Sequence, residues 1–287
     1  DWPDSTKRMQ AAWIGRSEGS EVEFDLDGHP GQRLKVFTTR VDTLYGATYM
    51  VVAPEHPLVA RLTTPAQKTA VDAYVKATAA KSDVDRMAEG AKEKTGVFTG
   101  SFAINPVTGG QVPVWVADYV LMGYGTGAIM AVPSGDERDF AFARKYGLAI
   151  KQVVSVSDGA FDDTRWRESY ADKPTGVCRN SGVLDGLGFK AAVDQVAQML
   201  AVKGLGQKKT TWRLRDWGIS RQRYWGAPIP IIHCENCGPQ LDENLPVILP
   251  ELDDFQPSGD GRSALARAED WINVNCPNCG GSAQRET

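Results

Sequence analysis

The sequence is organised around the stretch Phe37-Thr38-Thr39-Arg40-Val41-Asp42-Thr43-Leu44-Tyr45-Gly46. It follows a short apolar run, Leu34 to Phe37, that predicts a β-strand. Its threonines, arginine and aspartate can hold a polyhydroxyl or ester substrate, or position a water molecule, because each threonine hydroxyl both donates and accepts hydrogen bonds. The same residue types suit an ordinary strand end, since threonine favours strands and Arg-Asp pairs are common at surfaces. Residue types alone leave both interpretations open.

Composition and charge are those of an ordinary globular chain with room for two cores. Its 287 residues are 42% hydrophobic and 24% charged, with a formal net charge of -4. This charge argues against a surface that binds nucleic acid everywhere, although a local basic patch can still bind phosphate. No run approaches the roughly 18 apolar residues of a membrane helix, and the first residues lack the layout of a signal peptide. We therefore expect a soluble, cytoplasmic protein without membrane contact, and the missing initiator methionine predicts a piece of a longer chain.

Hydrophobic periodicity predicts alternating strands and helices on both sides of the central stretch. Before it, the alternation of Val22 to Leu26 followed by Asp27-Gly28 predicts a hairpin. After it, the pattern predicts a strand over residues 48–53, a solvated helix within 64–94, several strands over 97–132 and an amphipathic helix over 188–204.

Another helix is predicted over residues 135–146. Ser134, followed three residues later by Glu137, fits a capping box at its start. Asp136 and Asp139 then share one face of the helix, because side chains three residues apart lie above one another. We expect both carboxylates to point toward the ends of the preceding strands.

The glycine-rich run Gly123-Tyr124-Gly125-Thr126-Gly127 precedes that helix. It does not fit a nucleotide-binding loop, because the helix begins well downstream and no Lys-Ser/Thr follows. It predicts either close approach of the backbone to a ligand or a flexible turn.

A basic and aromatic segment lies near residues 208–225. Its lysines and arginines alternate with tryptophan and tyrosine and are opposed only by Asp216. Such a segment can hold a phosphate backbone while its rings stack on bases. An interdomain hinge with extended arginines is the equally good alternative.

Four of the five cysteines form two Cys-x-x-Cys pairs. The pairs are Cys234 with Cys237 and Cys276 with Cys279. This spacing predicts a zinc ribbon with one structural Zn²⁺, the alternatives being chance pairs or a redox role. Four thiolates fill a tetrahedral shell and leave no position for a catalytic water. We expect Cys178 to be an inert buried thiol and His233 to be a strand residue rather than a fifth ligand.

Four blocks of the sequence resemble bacterial-type leucyl-tRNA synthetases. The blocks are Trp13 to Gly19, Thr38 to Gly46, Gly123 to Asp139 and Leu214 to Gly226. In that family the first and last blocks flank an insertion in the class I catalytic domain, the editing domain. The resemblance implies an α/β (mixed α+β) fold with a β-barrel-like sheet core, surrounding helices and a small zinc ribbon. It divides the chain into an entry segment (1–19), an editing domain (20–210), a basic-aromatic return segment (211–232) and a zinc-ribbon segment (233–287).

The resemblance also implies a function, post-transfer editing. This is the hydrolysis of the aminoacyl ester in leucine tRNA mischarged with norvaline, isoleucine or a similar amino acid. Editing is needed because one methylene discriminates between substrates by only about 1 to 3 kcal/mol. The ATP-binding signatures His-x-Gly-His and Lys-Met-Ser-Lys-Ser are absent, so only a full-length, monomeric synthetase would use ATP to attach leucine. The expected partners are the 3′ terminal adenosine of leucine tRNA and the rest of the synthetase chain.

Two other functions fit the residues. A zinc-ribbon module that binds RNA without catalysis is one alternative. A metal-dependent hydrolase is the other, and it requires an open position on the zinc.

Individual residues receive roles from the resemblance. Thr43 would be the steric gate against the branched γ-carbon of leucine, and Asp139 would hold the substrate α-ammonium. Thr38 and Thr39 would contact the terminal adenosine or orient the attacking water. The supporting and pocket-lining residues would be Arg40, Leu121, Tyr124, Met130, Val132, Asp136 and Arg138.

Three positions bear on how closely the chain follows the family. Asp42 favours the leucyl enzymes, because isoleucyl and valyl enzymes resemble this stretch but typically have Trp or Glu there. Val41 stands where the family usually has Pro, which predicts a less rigid loop. Ser134-Gly135 replaces a small residue followed by His.

Overall fold

The computed structural model describes residues 2–79, 81, 86, 94–123, 125–156, 159–214, 226–255 and 263–287. It divides into two compact units, Asp1–Leu214 and Arg215–Thr287, each with its own sheet. Tyr124 and most of the basic-aromatic segment lie outside the described residues. Within the described part of the chain, no helix combines the length and the apolar character needed to cross a bilayer.

The first unit contains both helices and strands, which confirms the mixed α/β prediction. The helices are α1 (Asp4–Ile14), α2 (Val59–Leu62), α3 (Lys68–Ala79), α4 (Glu137–Tyr146) and α5 (Phe189–Lys203). The strands are β1 (Arg16–Leu26), β2 (Arg33–Thr38), β3 (Tyr49–Val52), β4 (Val97–Ile104), β5 (Gln111–Val116), β6 (Ala128–Ala131) and β7 (Gly206–Trp212). The 3₁₀ helices are Val41–Gly46, Glu168–Ala171 and Gly182–Leu184.

The seven strands form one sheet in the order β2-β1-β4-β5-β3-β6, with β7 paired to β1. The pair β3 and β5 is parallel, whereas β3 and β6 are antiparallel. Among the described strands no ladder joins β2 to β6, so the sheet is open rather than a closed barrel.

Strand β3 is buried on both faces, which places it between two cores. Met50 and Val52 belong to the larger core, whereas Tyr49 and Val51 belong to the smaller one. This follows from the strand period of two, which sends successive side chains to opposite faces. The larger core therefore packs against one face of β3 and the smaller core against the other.

The capping-box prediction for α4 is wrong. The N-cap is Asp136, whose Oδ1 accepts the backbone N–H groups of Arg138 at 2.9 Å and Asp139 at 3.1 Å. An aspartate caps as well as a serine does, and its charge also interacts favourably with the helix dipole. Ser134 is buried, and its hydroxyl has no hydrogen-bond partner among the residues that the structure describes. The Asp136 carboxylate therefore binds the helix end instead of lying beside Asp139 on a helical face.

The second unit is a small four-stranded sheet. Its strands are β8 (Ile231–Cys234), β9 (Gly238–Leu241), β10 (Asn273–Asn275) and β11 (Ser282–Arg285), in the order β10-β11-β8-β9. A short helix, α6 (Glu269–Ile272), precedes β10. The buried cluster of this sheet consists of Ile232, Cys234, Cys276 and Ala283. Two of these four residues are cysteines, so the unit depends on them for its core.

Candidate functional site

The threonines of the central stretch occupy different environments. Thr38 ends β2, and its Oγ1 accepts the backbone N–H of Arg40 at 3.0 Å. Thr39 is exposed. Thr43 lies in the 3₁₀ helix, is only 2% exposed, and donates its hydroxyl to the Arg40 carbonyl at 2.8 Å. That hydrogen bond fixes the direction in which the Thr43 methyl group points.

Arg40 and Asp42 form a largely enclosed ion pair, not the surface pair considered above. The Arg40 Nη2 lies 2.9 Å from Asp42 Oδ2, and Asp42 is 2% exposed. A second donor, Nη1, bonds to the Ala171 carbonyl at 3.2 Å, and the guanidinium lies over the Phe189 ring. These contacts tie the 3₁₀ helix to the segment around Ala171 and to α5.

Asn105 holds the far end of that 3₁₀ helix. This residue is 1% exposed, and its Nδ2 donates to the Leu44 carbonyl at 2.9 Å. Its Oδ1 accepts the backbone N–H of Val107 at 3.1 Å. Asn105-Pro106 predicts a turn, but nothing local in the sequence indicates the contact with Leu44.

Asp139 is a buried carboxylate at the start of α4. It is 5% exposed, and its Oδ2 accepts the backbone N–H of Val132 at 2.8 Å. Burial, followed by the negative charge of Asp136, raises the pKa of Asp139 to about 8, against the opposing effects of the Val132 N–H and Arg138. The site thus keeps a carboxyl group that gains its charge when a cation enters.

Val132 links Asp139 to the threonine stretch. A Cβ on Gly46, the last residue of the 3₁₀ helix, would lie 3.2 Å from Val132 Cγ1. The backbone N–H of Thr48 donates to the Ala131 carbonyl at 3.2 Å. The structure therefore brings the element that carries Thr43 and the strand end that binds Asp139 into direct contact.

The other candidate residues are dispersed around this contact. Met130 and Val132 are buried, and Met130 pairs with Met50 across β6 and β3. Leu121 is half-buried in the turn before the glycine-rich run. Arg138 is exposed, and its Nη2 lies 3.3 Å from Asp136 Oδ2. A role for Tyr124 stays a prediction, since this residue lies outside the described part.

The four cysteines of the second unit meet at one point. Their Sγ atoms all lie within 4.8 Å of one another, and those of Cys234 and Cys279 are 3.6 Å apart. A tetrahedral zinc with Zn–S bonds of about 2.3 Å requires S···S edges of about 3.8 Å, so the cluster can hold such an ion. His233 lies in β8 and bonds to Glu286 at 2.6 Å, as expected for a strand residue.

Hydrogen bonds within this cluster shift the pKa values of two of its thiols in opposite directions. The backbone N–H groups of Cys279 and Asn278 help to lower the pKa of Cys276 to about 7. Hydrogen bonding to the thiol of Cys279 raises the pKa of Cys237 to about 12. Four thiolates repel one another unless a cation lies between them. Cys178, in the first unit, is buried and keeps its proton, because burial raises its pKa to about 11.

Comparison with known proteins identifies the first unit. A family model described as "Leucyl-tRNA synthetase, editing domain" matches residues 11–201. The chain belongs to this editing-domain family. The match includes both the threonine stretch and Asp139.

Relatives of this editing domain are longer proteins. The leucine–tRNA ligase of Elusimicrobium minutum is 52% identical over 289 residues, covering 100% of this chain and 33% of the relative. That of Delftia acidovorans is 51% identical over 297 residues, covering 100% of the chain and 32% of the relative. The chain therefore spans about a third of the length of these relatives.

A solved structure resembles both units of the chain in sequence and fold. It is a ternary complex of Agrobacterium radiobacter K84 agnB2 LeuRS with tRNA and LeuAMS. The identity is 38%, the TM-score is 0.60, and the alignment covers 99% of this chain and 31% of that one.

The buried carboxyl of Asp139 has a consequence for the stability of the editing domain. Its pKa of about 8 exceeds the ordinary 3.8, so between these pH values the folded state keeps a proton that the unfolded state has released. Stability therefore falls as the pH rises through this window. The variant Asp139→Asn does not titrate and still accepts the Val132 N–H. We therefore expect its free energy of unfolding to rise relative to that of the wild type by up to about 1.4 kcal/mol per pH unit.

Hydrogen exchange of the β3 and β6 amides between pH 5 and pH 8 measures this difference. The intrinsic exchange rate is corrected for pH at each point. The difference in free energy of unfolding between the variant and the wild type should increase from pH 5 to pH 8 and stay constant above pH 8. A gap that does not change with pH would contradict the raised pKa.

Proposed function

We propose that this editing domain hydrolyses the aminoacyl ester of mischarged leucine tRNA, with norvaline, isoleucine or a similar amino acid as the part removed. The observation that carries the proposal is the buried Asp139 carboxyl, packed through Val132 against the 3₁₀ helix of Thr43. An ammonium beside this buried carboxyl would favour its ionised form and pair with it. The family match and the tRNA in the related complex support the same substrate class.

The proposed mechanism rests on positioning. Asp139 loses its proton as the substrate α-ammonium binds, and the charge-assisted contact fixes the ester carbonyl. Thr43 occupies the space that the branched γ-carbon of leucine needs, whereas the unbranched norvaline side chain passes it. Thr38 and Thr39 contact the terminal adenosine or orient the water. An aminoacyl ester is already reactive, so fixed geometry and hydrogen bonds to the oxyanion supply the acceleration.

The longer relatives of this chain are leucine–tRNA ligases. We propose that the full-length protein attaches leucine to its tRNA with ATP and that this part removes the errors. One extra or missing methylene discriminates by only about 1 to 3 kcal/mol, so a second pocket with the opposite preference is needed.

The decisive experiment compares two substrates. The chain is incubated with leucine tRNA charged with norvaline and, separately, with leucine, and release of each amino acid is followed over time. Norvaline should be released well above the spontaneous rate, while leucyl-tRNA is spared. Because the chain spans about a third of the length of its relatives, the same comparison is also made in a full-length synthetase that carries this domain. Equal release of both amino acids in both proteins would overturn the proposal.

We further propose that the four-cysteine cluster holds a structural Zn²⁺. Cys234, Cys237, Cys276 and Cys279 would supply all four ligands, and the Asn278 side chain donates to Cys237 Sγ at 3.4 Å as a supporting contact. A sheet with so small an apolar cluster needs such an ion for its stability.

Removal of that metal should affect the two units differently. Chelation, or Cys276→Ser, is expected to unfold the second unit, because the free energy of metal binding is part of its folding free energy. The first unit has its own cores, so release of norvaline should persist. Metal analysis and circular dichroism follow the first effect, and deacylation follows the second. Loss of deacylation together with the metal would instead favour a metal-dependent hydrolase.

A further inference from the structure

Tyr49 lies beside Asp139 and is fully buried. Its hydroxyl donates to the backbone carbonyl of Asp139 at 3.1 Å. A helical carbonyl already accepts from the residue four positions ahead, and the phenol uses its second lone pair. The contact joins β3 to the first turn of α4, the turn that contains Asp139.

The ring of Tyr49 makes a second contact with the same helix. It stacks on Phe142 with the centroids 5.3 Å apart and the planes at 16°. Phe142 lies one turn after Asp139 and is fully buried. The hydroxyl therefore holds the first turn of α4, while the ring holds the turn that follows.

These contacts form a closed cycle. Tyr49 pairs with Ala131 in the ladder between β3 and β6. The next residue, Val132, donates its N–H to Asp139 Oδ2, and the carbonyl of Asp139 accepts from Tyr49. Asp139 is thus fixed at its side chain by one strand and at its backbone by the neighbouring strand.

We propose that Tyr49 is the positioning residue for Asp139, so that its phenol hydroxyl sets the affinity of the site for the substrate α-ammonium. This inference rests on the proposed function. Without the hydroxyl, the first turn of α4 loses one of its two anchors and the carboxylate is less well aligned with the ammonium. Tyr49 is fully buried, so it acts on the substrate through Asp139, and a less well aligned carboxylate should weaken binding of the ammonium.

The phenol is suited to this task at every working pH. Burial, followed by the charge of Asp139, raises the pKa of Tyr49 far above its ordinary value. The hydroxyl therefore stays protonated and remains a donor. The titratable groups that act on its hydroxyl are Asp139, Tyr119 and Asp136.

The test is the deacylation kinetics of norvalyl-tRNA with Tyr49→Phe. This change removes the hydroxyl and keeps the ring on Phe142. KM should rise about three- to tenfold, the effect of one lost hydrogen bond. Tyr74→Phe is the control for the loss of a hydrogen-bonded tyrosine hydroxyl that does not contact Asp139: the Tyr74 hydroxyl bonds to the Thr95 carbonyl at 3.0 Å and accepts the backbone N–H of Asp118 at 3.0 Å. That control should lose at least as much stability and keep the wild-type KM.

Four outcomes separate the role of Tyr49 from the proposed function. Equal KM values for the two tyrosine variants, or a fall in kcat alone, would overturn the role of Tyr49. Recovery of KM by para-aminophenylalanine at position 49, which restores a donor, would support it and does not depend on whether Tyr49→Phe folds well. Asp139→Asn is measured in parallel: if it keeps full activity, the proposed function itself fails, whatever Tyr49 does.

Discussion

Asp139→Asn should reduce kcat/KM for norvalyl-tRNA by about 30- to 150-fold, because a hydrogen bond to a charged group contributes about 2–3 kcal/mol. The amide keeps the shape of the side chain and still accepts from the Val132 N–H, so the loss reports the missing charge. Asp139→Ala should lose at least as much, since it also leaves that buried N–H without its partner. Initial rates with each tRNA at saturating and limiting concentrations measure the effect.

A substrate without the ammonium provides the control for Asp139. Norvalyl-tRNA acetylated at its amine should be a poor substrate for wild type, with a rate near that of Asp139→Asn on the free amine. Acetylation should then cause little further loss in the variant, because the two changes remove the same contact. Losses that multiply fully would show that Asp139 acts on another part of the substrate.

Thr43→Ala should permit hydrolysis of correctly charged leucyl-tRNA, raising its rate at least about tenfold. The reason is steric: a methylene-sized change in an apolar pocket alters discrimination by about 1 to 3 kcal/mol. The Thr43 hydroxyl is bonded to the Arg40 carbonyl, so its methyl group has one fixed direction. Release of leucine and of norvaline from their tRNAs is measured side by side, and norvaline release should change little.

Two further variants separate the methyl group of Thr43 from its hydroxyl. Thr43→Val keeps the shape of the side chain, so leucyl-tRNA should still not be hydrolysed. Thr43→Ser keeps the hydroxyl but loses the methyl group, so leucyl-tRNA should be hydrolysed. The opposite order would mean that the hydrogen bond to Arg40, rather than the bulk of the side chain, controls discrimination. Both variants must unfold at similar temperatures for the comparison to hold.

Local features of the fold were predictable because local residues cause them. Gly147 ends α4 in a left-handed conformation with φ 65°, as a glycine after the last helical residue predicts. The turns after the two Cys-x-x-Cys pairs also depend on a local glycine. Gly238 has φ 71° and Gly280 has φ 70°. The predicted start of α4 was wrong, because Asp136 is as competent a cap as Ser134 and only the folded chain selects between them.

The candidate site shows the limit of such reasoning. The family resemblance predicted that Thr43 and Asp139 belong to the site. The residue types alone did not indicate that the two residues lie in elements that contact each other. Asn105 bonds to Leu44 across 61 positions, and Tyr49 bonds to Asp139 across 90. Contacts between residues so far apart produce no periodic pattern or fixed spacing in the sequence from which they could be predicted.

The sequence by itself therefore determined the elements, the four-cysteine ribbon and the residue types available for chemistry, since each depends on neighbours within a few positions. The tertiary structure decided which of the residues are buried, which carbonyls and N–H groups hold them, and where the carboxyl of Asp139 acquires its raised pKa. Burial and long-range hydrogen bonds are properties of elements that pack together. At the central stretch, they place the Thr43 methyl in one direction and enclose the ion pair of Arg40 and Asp42.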